Sequence, residues 1–107
     1  MTRAPQRVQR KRTKGWVQPD NTVYVGRPGR FGNPFSASEL GHALAVEKYR
    51  DWLDGLLEDQ FPDLITRRKQ VLEGICQLRG KNLSCWCPMD KPCHVDVLLE
   101  MANEKSV

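Results

Sequence analysis

Two short segments have the composition of β-strands, and the long stretch between them reads as loop and helix. Thr22–Gly26 (T-V-Y-V-G) is β-branched and aromatic and ends on glycine; Asn82–Cys87 (N-L-S-C-W-C) is its counterpart. Residues 27–81 lie between them, so a hairpin is ruled out. A crossover of that length joins parallel strands, with a right-handed connection. The expected class is therefore α/β: a small three-layer or two-layer domain with a short, mostly parallel sheet and about three helices. Residues 6–11 would supply an extra strand. In such sheets ligands bind beyond the carboxyl ends of the strands. Here that edge would collect the loop after Gly26 and the turn after Cys87.

Helix signals fill the remainder. Ser36 with Glu39 matches a capping box, which predicts a helix to about Glu58. Leu40, Leu44, Tyr49, Trp52, Leu53, Leu56 and Leu57 fall near one face of it. Phe61-Pro62-Asp63 interrupts the pattern. A second helix is expected over Leu64–Leu78, with Gly80 as its C-terminal cap. Pro92 would open the last helix, whose inner stripe is Val95, Leu98, Leu99 and Ala102. Asp90 reads as a cap for it and Asp96 as a first-turn acid.

At 107 residues the chain has room for one core. Its charge is uneven. Residues 1–30 hold eight Lys/Arg against Asp20 alone, a net +7, whereas residues 31–107 hold nine against twelve acids, a net −3. The division expected is a basic N-terminal arm over residues 1–20, partly ordered, and a single α/β domain over residues 21–107. No segment approaches the roughly 20 apolar residues of a membrane span, and no apolar stretch follows the basic start as in a secretory signal. A cytoplasmic, reducing setting is expected. There Cys76, Cys85, Cys87 and Cys93 are thiols or metal ligands before they are disulfides. Cys76 reads as core or boundary. The arm, R-V-Q-R-K-R-T-K-G-W, has the basic density that attracts phosphate backbones without sequence specificity. A solvated charge run is the plainer alternative.

Two segments carry candidate chemistry. In Gly26–Phe35 (G-R-P-G-R-F-G-N-P-F), Gly26 and Gly32 would let backbone N–H groups approach an anion. Arg27 and Arg30 would hold phosphate, and Asn33 would hydrogen-bond a base or sugar. The loop is neither a Walker A motif nor a dinucleotide fingerprint. Its alternative reading is a rigid surface loop whose Phe31 and Phe35 plug the core. The second segment is C-W-C-P-M-D-K-P-C-H. Cys85 and Cys87, two apart on a strand, share a face while Trp86 points the other way. With Cys93 and His94 they make a tetrahedral zinc set by chemistry, although the spacing is unusual for one. Alternatively Cys93, at a helix N-terminus, is a reactive thiol, with His94 as an acid, a base or an anion ligand. The plainest alternative is that these are small buried residues.

These segments, with L-R-G-K-N-L ahead of the second and V-D-V-L-L after it, resemble a small family, domain of unknown function 4326. The likeness runs from about Arg7 to Asn103. The family's G-R-P-x-x-x-G-N-P-F block falls on Gly26, Arg27, Pro28, Gly32, Asn33, Pro34 and Phe35. Its C-W-C…P-C-H block falls on Cys85, Trp86, Cys87, Pro92, Cys93 and His94, with Val95 where members usually carry a small residue. The resemblance implies a free-standing intracellular domain of bacterial or phage type and implies no particular reaction. The functional expectation is a nucleotide or nucleic-acid phosphate bound at the loop beside the cysteine cluster, with any chemistry falling to Cys93 and His94. A non-catalytic zinc-stabilised nucleic-acid-binding module, or a phage protein that binds a host factor, are the alternatives. Zinc is the one cofactor candidate; no membrane partner is expected.

Overall fold

Three strands pair as the long crossover requires. In the computed structural model, which describes residues 5–27 and 29–103, β1 (Arg7–Gln9), β2 (Thr22–Tyr24) and β3 (Asn82–Cys85) form one sheet. The order is β1-β3-β2 and both pairings are parallel. Arg7 stands opposite Leu83 on one side, and Val23 opposite Leu83 on the other. The strand expected within residues 6–11 is thus present, at Arg7–Gln9. Residues 1–4, Arg3 among them, and Pro28 of the loop lie outside the described residues.

Alternation along β3 sends Leu83 and Cys85 into the core and Ser84 to the opposite face. Ser84 is also buried, because Gln18 folds over it and accepts its hydroxyl at 2.8 Å. The chain between β1 and β2 therefore covers one face of the sheet. Helices cover the other.

The expected single helix to Glu58 is two helices, α1 (Ala37–Leu40) and α2 (His42–Leu53). Gly41 divides them at φ +84°, a left-handed value that an L-residue side chain disfavours. The capping box is not formed: the Ser36 hydroxyl meets that of Ser38 at 2.7 Å and caps no backbone donor. Two leucines of the expected apolar face do not reach the core, Leu44 within α2 and Leu56 beyond its end at Leu53. Leu44 is 42% exposed and Leu56 69%. The second helix is shorter than expected too. Its α-helical part, α3, covers Ile65–Gly74, with single 3-10 turns over Pro62–Leu64 and Ile75–Leu78. Gly80, at φ +76°, ends this region in the left-handed conformation anticipated for it. Cys76 is exposed, which corrects the core or boundary placement.

The last helix, α4 (His94–Asn103), begins two residues after Pro92, so proline does not open it. Cys93 occupies the capping position instead. Its N–H donates to the Asp96 carboxylate at 3.3 Å, while its carbonyl receives the Asp96 N–H at 3.0 Å. Asp90 lies in the preceding exposed turn and does not cap.

α4 packs on β1 and β3, and α2 packs on α4. Tyr49, Trp52, Val71, Leu78, Leu83, Val95 and Leu98 are essentially sealed in the core. Each such apolar side chain contributes about 1.5–3 kcal/mol by leaving water. Phe35 sits edge-on to Trp52 at 6.2 Å and to Phe61 at 5.2 Å, so the loop after β2 is plugged into this core by its final aromatic. No helix among the described residues is long and apolar enough to cross a membrane.

Candidate functional site

The loop after β2 leaves the sheet through Val25, whose N–H still pairs with the Ser84 carbonyl at 2.9 Å. A side chain at position 26 would crowd Tyr24. A Cβ there would stand 2.4 Å from the Tyr24 hydroxyl, which folds back to donate to the Arg27 carbonyl at 2.7 Å. Two successive turns follow, Gly29 N–H to Gly26 O and Gly32 N–H to Gly29 O, each at 3.0 Å. Asn33 then locks the loop to α2. Its Nδ2 donates to the Ala45 carbonyl at 3.1 Å and its Oδ1 accepts the Phe35 N–H at 2.9 Å. Arg27 Nε closes the ring onto the Asn33 carbonyl at 2.7 Å.

Further side chains reach in from the helices. Tyr49 donates its hydroxyl to Phe31 O at 2.8 Å, and Arg67 donates to Gly32 O at 2.9 Å. Burial holds the Tyr49 phenol well above its ordinary pKa, the Arg67 charge opposing this in part. Arg30 leaves in the opposite direction. Its Nε donates to Gln70 O at 2.6 Å, and its guanidinium packs where a side chain on Gly74 would otherwise stand.

The turn after β3 is built differently. Cys85 ends the strand, Cys87 follows on the same face, and Cys93 returns at the start of α4. Their three sulfurs lie within 4.8 Å of one another, those of Cys85 and Cys93 at 3.2 Å. Cys85 and Cys93 are buried and Cys87 half-buried, and all three are free thiols. They titrate as one group. Cys87 is pulled well below the ordinary thiol range, first by the Cys85 thiol and then by that of Cys93. Burial opposes the shift. Cys85 and Cys93 are pushed up in turn, since each keeps its proton by lending it to a neighbouring sulfur.

His94 flanks this trio. Its Nε2 faces the Val25 carbonyl at 2.8 Å, which fixes a proton on that nitrogen and leaves Nδ1 as an acceptor, 3.5 Å from Cys93 Sγ. Tyr49 packs edge-on against its ring at 5.2 Å. Burial lowers the His94 pKa, so the ring is neutral.

Loop and turn meet around one pocket of about 280 Å³ at the carboxyl edge of β2 and β3. Gly26, Arg27 and Asn33 line it from the loop, and Cys85, Cys87, Cys93 and His94 from the turn. Of the residues singled out in the sequence, Arg30 and Gly32 are not among its walls. Asn33 lines the pocket with both ends of its amide engaged by Ala45 and Phe35.

Sequence reasoning passed over several contributors. His42, the first residue of α2, lines the pocket from the far side. It was hidden inside what read as the middle of a continuous helix. Arg67 shares a neighbouring hollow with Arg27, Pro34 and Leu64, yet in sequence it belongs to a surface-like Arg-Arg-Lys run. Finally, Tyr24 and Trp86 line the pocket and sandwich Arg10, whose guanidinium stands 4.9 Å from one ring and 5.3 Å from the other. Arg12 lies over the Trp86 ring as well, at 4.7 Å. An aromatic residue paired with an arm cation gives no periodic signal.

A family model described as a domain of unknown function, DUF4326, matches residues 8–104. No curated protein and no solved structure matches the chain.

Proposed function

The chain belongs to the DUF4326 family, a domain of unknown function, and from that premise we propose that its pocket binds a nucleotide-class ligand. Arg27 and Arg67 would face the phosphate. The observation that carries this reading is the position of Arg27. Arg27 lines both the pocket and the adjoining hollow, and among the described residues neither Arg27 nor Arg67 forms an ion pair with a carboxylate. Phosphate suits such a pair. The aromatic rims of Tyr24 and Trp86, with Arg10 between them, suit a base. A single-stranded nucleic acid presents the same chemistry, and the basic residues at positions 10–14 would favour it through counterion release. Arg30, turned toward α3, is left out of the ligand contacts. Cys93 and His94 are the groups available for chemistry, and the free thiols suit a reducing, cytoplasmic setting.

The test is equilibrium binding of nucleoside mono- and triphosphates and a short single-stranded oligonucleotide, read by Trp86 fluorescence or calorimetry. Arg27→Ala is expected to lose at least about tenfold in affinity, one charge-assisted contact's worth, and to stay folded with a loss of about 1 kcal/mol from the freed Asn33 carbonyl. Undiminished binding in that variant overturns the assignment.

A second reading is favoured by one observation, the convergence of three sulfurs. It makes the cysteines zinc ligands in a nucleic-acid-binding module. Metal analysis of protein purified without a metal-affinity tag tests it. About one zinc per chain, and loss of fold on chelation, is the expected result; folded, metal-free protein rejects it.

A further inference from the structure

We infer that Cys85, Cys87 and Cys93 hold one zinc-class divalent ion whose fourth coordination position opens into the pocket, where a donor atom of the ligand completes it. The inference rests on the metal reading above and goes beyond it, since a purely structural zinc site is closed by four protein ligands.

Three features of the site point this way. First, the sulfurs are nearly in place. A tetrahedral ion about 2.3 Å from each would space them about 3.8 Å apart, and they already lie within 4.8 Å of one another. They come from the end of β3, from the turn and from the cap of α4, so the packed core itself brings them together. Second, the cap that carries Cys93 is held in place. The Cys93 backbone N–H is pinned by Asp96, which Arg7 holds at 3.2 Å.

Third, the obvious fourth ligand is held aside. His94 is tied on two sides, by its hydrogen bond to Val25 O and by the Tyr49 ring. Its Nδ1 lies 3.5 Å from Cys93 Sγ, yet the ligand atoms that share the 4.8 Å cluster are the three sulfurs only. The bond to Val25 O engages Nε2 and leaves Nδ1 free, so distance is what keeps His94 out of the set: its Nδ1 does not share the 4.8 Å cluster of the three sulfurs. All three cysteines are pocket walls. The open position therefore faces the cavity, with His94 and His42 on its margin. A metal presented this way selects ligands that carry a soft or nitrogen donor, or a phosphate oxygen, close to their apolar body. The cavity stands at the small end of the usual range for ligand sites, so the part that enters is about the size of a nucleobase.

The experiment uses the full chain loaded with cobalt(II) in place of zinc, followed by its visible d–d bands and sulfur-to-cobalt charge transfer. One cobalt per chain is expected, with bands that shift saturably on adding cyanide or imidazole. His94→Gln, checked for fold by circular dichroism, is expected to keep the wild-type bands. Cys87→Ser is expected to weaken metal affinity by at least tenfold. Cobalt bands that ignore both added ligands and change in His94→Gln would show a closed site with His94 as fourth ligand, overturning the open position while keeping the metal. Folded protein that takes up no cobalt overturns the metal reading as well. The added-ligand titration needs no variant, so a misfolded His94→Gln leaves the test intact.

Discussion

The loop after β2 and the turn after β3 face each other across one pocket, but they use their polar groups in opposite ways. In the loop nearly every such group is consumed in holding the loop to itself and to the helices. Asn33 ties it to Ala45 and Phe35, Arg27 Nε closes it, and Tyr49 and Arg67 take its carbonyls. In the turn, the three thiols and His94 Nδ1 have mostly one another. One wall of the pocket is therefore a scaffold that happens to end in an arginine, and the other is a reactive or metal-binding surface. Glycines and asparagine in a loop suggested a ligand cradle, and the hydrogen bonds show how much of that chemistry is structural.

Substitutions can break this contrast, beginning with the largest effect. Asn33→Ala removes two buried hydrogen bonds and strands the Ala45 carbonyl and the Phe35 N–H, and is expected to cost about 2–4 kcal/mol. Urea denaturation would show it, and a loss below that range would mean the loop is not self-supporting. Tyr49→Phe is expected to cost about 1–2 kcal/mol by leaving Phe31 O unpaired, seen as a lower unfolding midpoint.

The same residue makes a pH prediction. The folded phenol titrates above its ordinary 10.0, so as pH rises past about 10 the unfolded chain loses that proton first. Folding stability then falls with further increase in pH. Tyr49→Phe should lack that part of the alkaline decline, and identical alkaline slopes in the two proteins would contradict it. Arg7→Met, which removes the tie from β1 to Asp96 and to the Pro88 carbonyl, should cost about 1 kcal/mol, being partly screened. Smallest of all, if the folded protein carries no metal, Cys87→Ser at the half-buried position should change stability by less than about 1 kcal/mol. A larger loss there would make the cysteine turn a scaffold too, and the contrast would fail.

The architecture was legible because it rests on separation and alternation. A crossover spanning residues 27–81 forces parallel pairing, and the two-residue period of β3 puts Cys85 on the core face. The meeting of loop and turn at one edge followed from the same topology. Helix boundaries were less legible. Gly41 and Gly55 both adopt left-handed φ, which ends helices irrespective of the apolar pattern, and a lone glycine in a periodic run gives only a weak sign of it. Direction of side chains was least legible. Arg27 and Arg30 are three apart in one loop, yet one lines the pocket and the other reaches Gln70, a difference decided by where α3 docks. His42 was invisible for a related reason, since its approach to the pocket depends on the break at Gly41.

The sheet order also bears on how the molecule comes into being. β1 and β2 never pair with each other; both wait for β3, the strand between them. During synthesis the first two strands emerge with no partner, and most of the helical region follows before the central strand exists. Contacts such as Arg7 with Leu83 span most of the chain, which places folding among the slower small domains. Because Cys85 ends the central strand and Cys87 and Cys93 follow it in the chain, any metal they take is acquired as the sheet closes or after it. Loading and folding would then be one event, and a shortage of metal would act on nascent chains before it acted on finished ones.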